Sequence, residues 1–275
     1  MFTLKDTYES RKREINSFIE LMKFLEGKKI SVQENTVSFD DFFYGDDSSI
    51  DLSYQELINI LKSNVSLMMY NIIEYTVSGL VDCIYDEIRM QNLSYIDVNE
   101  SIREVWRKNI LKVTKDPGAN FNTFLKRNEE IINYILSNAT LNIHARETLP
   151  AGNLDGVSIK STFKSHGIHI KTSSENFRPD ILNSIKENRN NLAHGSVSFV
   201  DAVRNDSIQD FVKYYRLITL FLEELIDTVN EYIECQDYKL YSCKKTKRIS
   251  SLFNVFKDDR IKPSVYTQHK PAASF

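Results

Sequence analysis

The chain predicts an all-α bundle, and three observations carry that prediction. Eight Gly and five Pro in 275 residues are few, and long stretches without either favour helices over a turn-rich β protein. Apolar residues recur at helical spacing through several of those stretches. Polar start signals and glycine or proline stops bracket them at lengths that suit helices.

Taken in order, the first amphipathic helix fits residues 4–26. Tyr8, Ile15, Phe18, Ile19, Met22 and Leu25 share a face there, and Gly27 suits the stop. Residues 28–53 read as irregular, with room for a short hairpin in ISVQENTVSF and a loop in YGDDSSIDLS. A long helix follows over roughly 54–91. Leu57, Leu61, Val65, Met68, Ile72, Leu80 and Ile84 form a broad apolar face that no proline interrupts. Asp97 with Glu100 reads as the next helix start, and Pro117-Gly118 as its end. Another helix fits about 120–138, and residues 139–177 are mixed. Within them a short helix begins after Asp155 and stops at Gly167. Pro179 suits the first turn of a helix that ends at Gly195. The last long helix fits 206–235, with Phe211, Tyr215, Leu222, Leu225, Val229 and Ile233 inward. The expected organisation is one helical domain over 1–240 and a basic tail over 241–275.

Composition excludes several classes. No run of about eighteen apolar residues exists, so no segment reads as a membrane span. The opening MFTLKDTYESRKREINSF has no apolar h-region and does not read as a secretory signal. Cys83, Cys235 and Cys243 are an odd number without CxxC spacing, which speaks against a disulfide framework or zinc site and points to the cytoplasm. The net charge of −3 hides an asymmetry: residues 238–275 balance to +7 and the remainder to −10. A basic tail on an acidic body suits an anionic partner such as nucleic acid, and Lys244, Lys245, Lys247 and Arg248 are its densest cluster. The alternative is a tail that is simply solvated.

The stretch ENRNNLAHG, Glu187 to Gly195, is the prominent motif. On a helix, Ile181, Ile185 and Leu192 form one stripe, and Leu182 and Ala193 widen it. Arg189 falls inside that stripe, where a permanent charge needs a partner or a ligand. Asn190 and His194 share a different face. Arg189 and His194 lie about 140° apart on an ideal helix, so both reach one small ligand only if the helix ends near His194 or a second copy contributes. Imidazole is the side chain best matched to proton transfer near neutral pH.

RNNLAHG resembles the Arg-Asn-x-x-x-His motif of HEPN nucleases, all-helical ribonucleases of prokaryotic defence and toxin systems and of some eukaryotic proteins. SNVSLMMYNIIEYTVSGLVDCIYDEI (63–88) is similar to the long helix that precedes the catalytic helix in one HEPN subgroup. GNLDGVSIKSTFKSHGI and ENRNNLAHGSVSF look like that subgroup's later half. The similarity spans roughly 55–235. It implies a homodimer in which two motifs build one metal-independent site without a cofactor. Arg189 would stabilise charge on the scissile phosphate, His194 would act as general acid or base, and Asn190 would orient the site. Glu74 matches a polar position of the subgroup and takes a supporting role. An antitoxin, sensor or modifying enzyme encoded nearby is the expected partner.

RNA carries its own nucleophile, so an imidazole and a forked guanidinium suffice for cleavage by the 2′-OH to a 2′,3′-cyclic phosphate and a 5′-OH. The expected function is therefore an endoribonuclease of a toxin–antitoxin or antiphage system. The alternative is a non-catalytic helical module for dimerisation or for binding RNA or nucleotide. His166 and His169 in SHGIHI lack further clustered ligands and read as loop or core residues, and no phosphate-cradling GxxxxGK loop is present.

The basic tail makes a measurable prediction. Neutralising Lys244, Lys245, Lys247 and Arg248 together is expected to weaken RNA binding most at low salt. The log–log salt slope should fall by about 0.7 for each phosphate that the tail no longer neutralises. Cleavage at saturating RNA should persist. An unchanged slope removes the tail from the RNA-binding surface.

Overall fold

A computed structural model describes residues 2–32, 53–112, 121–150, 152–170 and 177–241. Eight helices and no strands are present among them: α1 (Phe2–Val32), α2 (Tyr54–Met90), α3 (Glu100–Lys112), α4 (Phe121–Leu136), α5 (Ala145–Thr148), α6 (Gly156–Ser165), α7 (Pro179–Ala193) and α8 (Ile208–Glu234). Two isolated bridges, Ser94 with Thr140 and Val98 with Lys239, are the extended pairings among the described residues. The fold is all-α, as its periodicity predicts.

The centre is α2, 37 residues long. It is apolar on so many sides that water suits almost none of them. Only Gln55, Asn71, Asp86 and Met90 are exposed along it. Helices α1, α7 and α8 pack along its length, and the short α5 docks near its C-terminal end. The inward residues of α1 are Leu4, Tyr8, Ile15, Ile19 and Met22, and those of α8 include Phe211, Leu222, Leu225 and Val229. Burying each such side chain is worth roughly 1.5–3 kcal/mol.

Helix ends follow their capping chemistry. Ser53 and Glu56 close a capping box on α2, and Ser207 and Asp210 close one on α8. Asp155 caps α6, and Pro179 opens α7. Three expectations need correction. Helix α1 runs through Gly27 to Val32, because a single glycine weakens a helix without ending it. The hairpin expected in ISVQENTVSF therefore cannot begin at Ile30, and residues 33–52 lie outside the described residues. Asp97 does not start α3. Its carboxylate instead accepts from Ser94 N–H and Oγ, while Asn99 Oδ1 accepts from Ile102 N–H at 2.9 Å and caps the helix. The tail cluster Lys244, Lys245, Lys247 and Arg248 also lies outside the described residues.

Polar tethers fix loops to α2. The Lys62 ammonium, 3% exposed, donates to the carbonyls of Asp206 at 2.7 Å and Val203 at 3.3 Å. Burial pushes its pKa down, while Asp206, Glu26 and Asp210 oppose that shift. Ser63 Oγ donates to Phe199 O at 2.6 Å. Together they hold the segment that follows the motif.

His166 is a core histidine, as its isolation predicts, and His169 is exposed. The Thr162 carbonyl lies 2.7 Å from His166 Nδ1, so Nδ1 carries the proton. Nε2 is then the acceptor for the Tyr85 hydroxyl at 2.5 Å. Burial holds the imidazole pKa below its ordinary 6.5. The unfolded chain thus binds a proton at a pH where the folded chain does not. The contribution of His166 to stability is expected to be constant well above pH 6.5 and to fall as pH drops through and below it. Denaturant titrations from pH 7.5 to about 5.5 check this, and the His166→Gln variant should lose that part of the slope.

Candidate active site

Helix α7 carries the motif. Its apolar side is Ile181, Leu182, Ile185 and Leu192, all buried, whereas Ala193 is exposed and does not widen the stripe. The helix ends by a Schellman turn. Gly195 N–H donates to Leu192 O at 3.2 Å and Ser196 N–H to Asn191 O at 3.0 Å. Gly195 supplies the required positive φ of 65°. The capping residue is His194 itself, with helical φ −88° and ψ −3°. The spiral therefore continues to the imidazole, and the angular offset of about 140° between Arg189 and His194 persists. Among the described residues the His194 ring makes no hydrogen bond or ion pair, and it is exposed.

Arg189 sits half-buried against α2. Its guanidinium carbon lies 4.9 Å from the centre of the Tyr70 ring, and Tyr70 is fully buried. Nη1 donates to Asn190 Oδ1 at 3.0 Å and to Gly152 O at a long 3.5 Å. No carboxylate pairs with the guanidinium among the described residues, and neither Nε nor Nη2 has a partner among them. That edge is the fork that grips phosphate or carboxylate.

The wall of this site is the loop 152–155, which runs alongside α7 and is fastened to both α7 and α2. Lys186 Nζ meets Asp155 Oδ2 at 2.9 Å. Asn190 Nδ2 donates to Asn153 Oδ1 at 3.2 Å. Leu154 N–H donates to the Tyr70 hydroxyl at 3.3 Å. Burial pushes Asp155 up, but hydrogen bonds from Lys186 and Ser158 outweigh it and hold the carboxyl below its ordinary range. Burial pushes the Tyr70 phenol up; the Leu154 N–H, Arg189 and Lys186 pull it down, and Glu74 pushes it up.

Of the residues the sequence singled out, Arg189 and Asn190 are joined by a direct hydrogen bond. His194 stands apart from both on the surface. Glu74 is half-buried, one turn from Tyr70, and makes no hydrogen bond or ion pair with Arg189 or His194 among the described residues. Sequence reasoning missed Tyr70, Gly152, Asn153, Asp155 as a site anchor, and Lys186. GNLDG carried a signal, since a Gly-Asn pair before an N-cap marks a shaped loop. Tyr70 carried none, because an aromatic in an apolar helix reads as core.

A sequence model of the MAE_28990-like HEPN family matches residues 2–238. The chain belongs to that HEPN family. The match takes in every helix described above and the motif, and it reaches further toward the N-terminus than the 55–235 similarity. No curated protein and no solved structure matches the chain. No helix among the described residues of this HEPN protein is long and apolar enough to cross a membrane. No group of three or more His, Cys, Asp or Glu side chains placed to hold a metal occurs among the described residues.

Gly152 gives the wall its test. Its φ is 65°, and a methyl group there would meet Arg189 Nη1 at 3.4 Å. The Gly152→Ala variant is expected to lose about 1–2 kcal/mol of stability from the left-handed backbone. Denaturant midpoints check this; an unchanged midpoint means that the loop does not adopt this turn in solution.

Proposed function

We propose that this HEPN protein is a metal-independent endoribonuclease of a toxin–antitoxin or antiphage defence system, acting as a twofold homodimer. The observation that carries the reading is the guanidinium of Arg189. It is held by its face and its Nη1 end, while its Nε/Nη2 edge lacks a protein partner among the described residues. A half-buried cation with an open fork suits a phosphate whose charge builds during reaction.

The chemistry balances with two copies of the motif. One His194 imidazole takes the proton of the RNA 2′-OH, whose oxygen attacks the adjacent phosphorus. The bond to the 5′-oxygen breaks, and that oxygen takes a proton from the second His194. Arg189 grips the non-bridging oxygens, and Asn190, bonded to it, orients the fork. The products are a 2′,3′-cyclic phosphate and a 5′-OH. Because one helix aims Arg189 and His194 about 140° apart, a second copy is what brings both to one phosphate. Glu74 acts only through its neighbourhood of Tyr70. The protein encoded beside it, an antitoxin or sensor, would control the activity.

The same offset supports a second reading, in which the motif binds RNA or nucleotide without cutting it. Cleavage assays separate the two. The protein in EDTA is expected to cut RNA and to spare RNA with a 2′-deoxy residue at the cut site. His194→Ala should lower the rate by about 100- to 10,000-fold while binding persists. Arg189→Ala should abolish cleavage as well. Mixing the two inactive variants should restore part of the activity if one cleft draws on two chains. A magnesium requirement, cutting of the deoxy substrate, or wild-type rates in both variants refutes the mechanism. Full activity in a protein that scatters light as a monomer refutes the composite site.

A further inference from the structure

The Arg189 guanidinium lies over the ring of Tyr70, and nothing in the motif points to that residue. It lies on α2, 119 positions before Arg189 in the chain, and its exposure is 0%. The ring faces the guanidinium at 4.9 Å. The hydroxyl is fixed at the other end by the Leu154 N–H at 3.3 Å, within the loop that also carries Gly152 and Asn153. One buried side chain thus touches both the guanidinium and its wall.

We propose that Tyr70 is the positioning residue for Arg189. Its ring fixes the plane of the guanidinium so that the Nε/Nη2 edge faces outward, and its hydroxyl fixes the loop whose Gly152 carbonyl receives Nη1. A free arginine explores many rotamers, and ordering it costs side-chain entropy. Stacking on a buried aromatic face offsets that cost before any ligand arrives, since such a contact is worth roughly 0.5–2 kcal/mol. The two functions of Tyr70 are separable: phenylalanine keeps the face and loses the hydroxyl, whereas methionine loses the face and keeps much of the volume.

The role of Arg189 toward phosphate rests on the proposed function, so the test has one arm that needs no cleavage. The Arg189 Nε–H resonance, assigned by its disappearance in Arg189→Lys, should be shifted upfield by the ring in the wild-type protein. The shift should survive in Tyr70→Phe and vanish in Tyr70→Met. In Tyr70→Phe the Leu154 amide should exchange faster with solvent. In the cleavage arm, Tyr70→Met should lower kcat roughly 2- to 30-fold with KM little changed. Tyr70→Phe should retain most of the wild-type kcat. The wild-type shift overturns the proposal by its absence, even if Tyr70→Met fails to fold. Equal kcat losses in Tyr70→Phe and Tyr70→Met overturn it as well. A ring shift that behaves as expected in a protein that cuts no RNA leaves Tyr70 as the positioning residue and refutes the ribonuclease reading alone.

Discussion

Desolvation of α2 organises the molecule. Four of its 37 residues are exposed, so a sheath must form round it, and each sheath element brings something besides apolar surface. Helix α7 brings an arginine, the segment after it is bound by a lysine on α2 itself, and α6 ends in a histidine buried against Tyr85. In each case the apolar rod supplies one polar or aromatic group at the right turn: Tyr70 for Arg189, Lys62 with Ser63 for the segment from Phe199 to Asp206, and Tyr85 for His166. The order of these groups along α2 sets where each later chain segment is pinned.

The cation on this rod and the cation beside it are treated differently. Lys62 is almost wholly buried, and two backbone carbonyls take its ammonium protons. That makes it a structural latch, because a buried charge already bonded to two carbonyls of a packed segment ties that segment to the helix. Arg189 is half-buried and receives an aromatic face and oxygen acceptors at one end only. The guanidinium keeps an open edge among the described residues. Packing therefore distinguishes a residue whose charge is held by the fold from one whose charge keeps an edge open for the proposed phosphate.

The end of α7 sets a second constraint. A Schellman turn keeps His194 on the helical spiral and fixes its direction relative to Arg189. One chain thus presents a supported guanidinium beside a shaped loop and an exposed imidazole on another face of the same helix. The proposed twofold site joins the two without distorting the helix. Its attraction is physical economy, since the same short helix supplies both kinds of group to a cleft shared by two copies.

Local chemistry along the chain specifies the helices, their apolar faces and the candidate residues of the motif. A 3.6-residue period, a capping side chain, and a glycine placed where φ must be positive can all be read without knowing the fold. The boundary errors are local as well, as at Gly27, where helix length overrides a weak stop, and at Asp97, whose carboxylate turns back to Ser94 and leaves the helix cap to Asn99. Which groups meet across the chain is a different matter. That Arg189 stacks on Tyr70, that Asn190 meets Asn153, and that Lys186 pairs with Asp155 all depend on α7 lying between α2 and the loop before α6. Sequence periodicity says which side of a helix is apolar, but the identity of the surface it covers comes from packing many apolar faces at once. The neighbours that give a charged residue its orientation are settled only there.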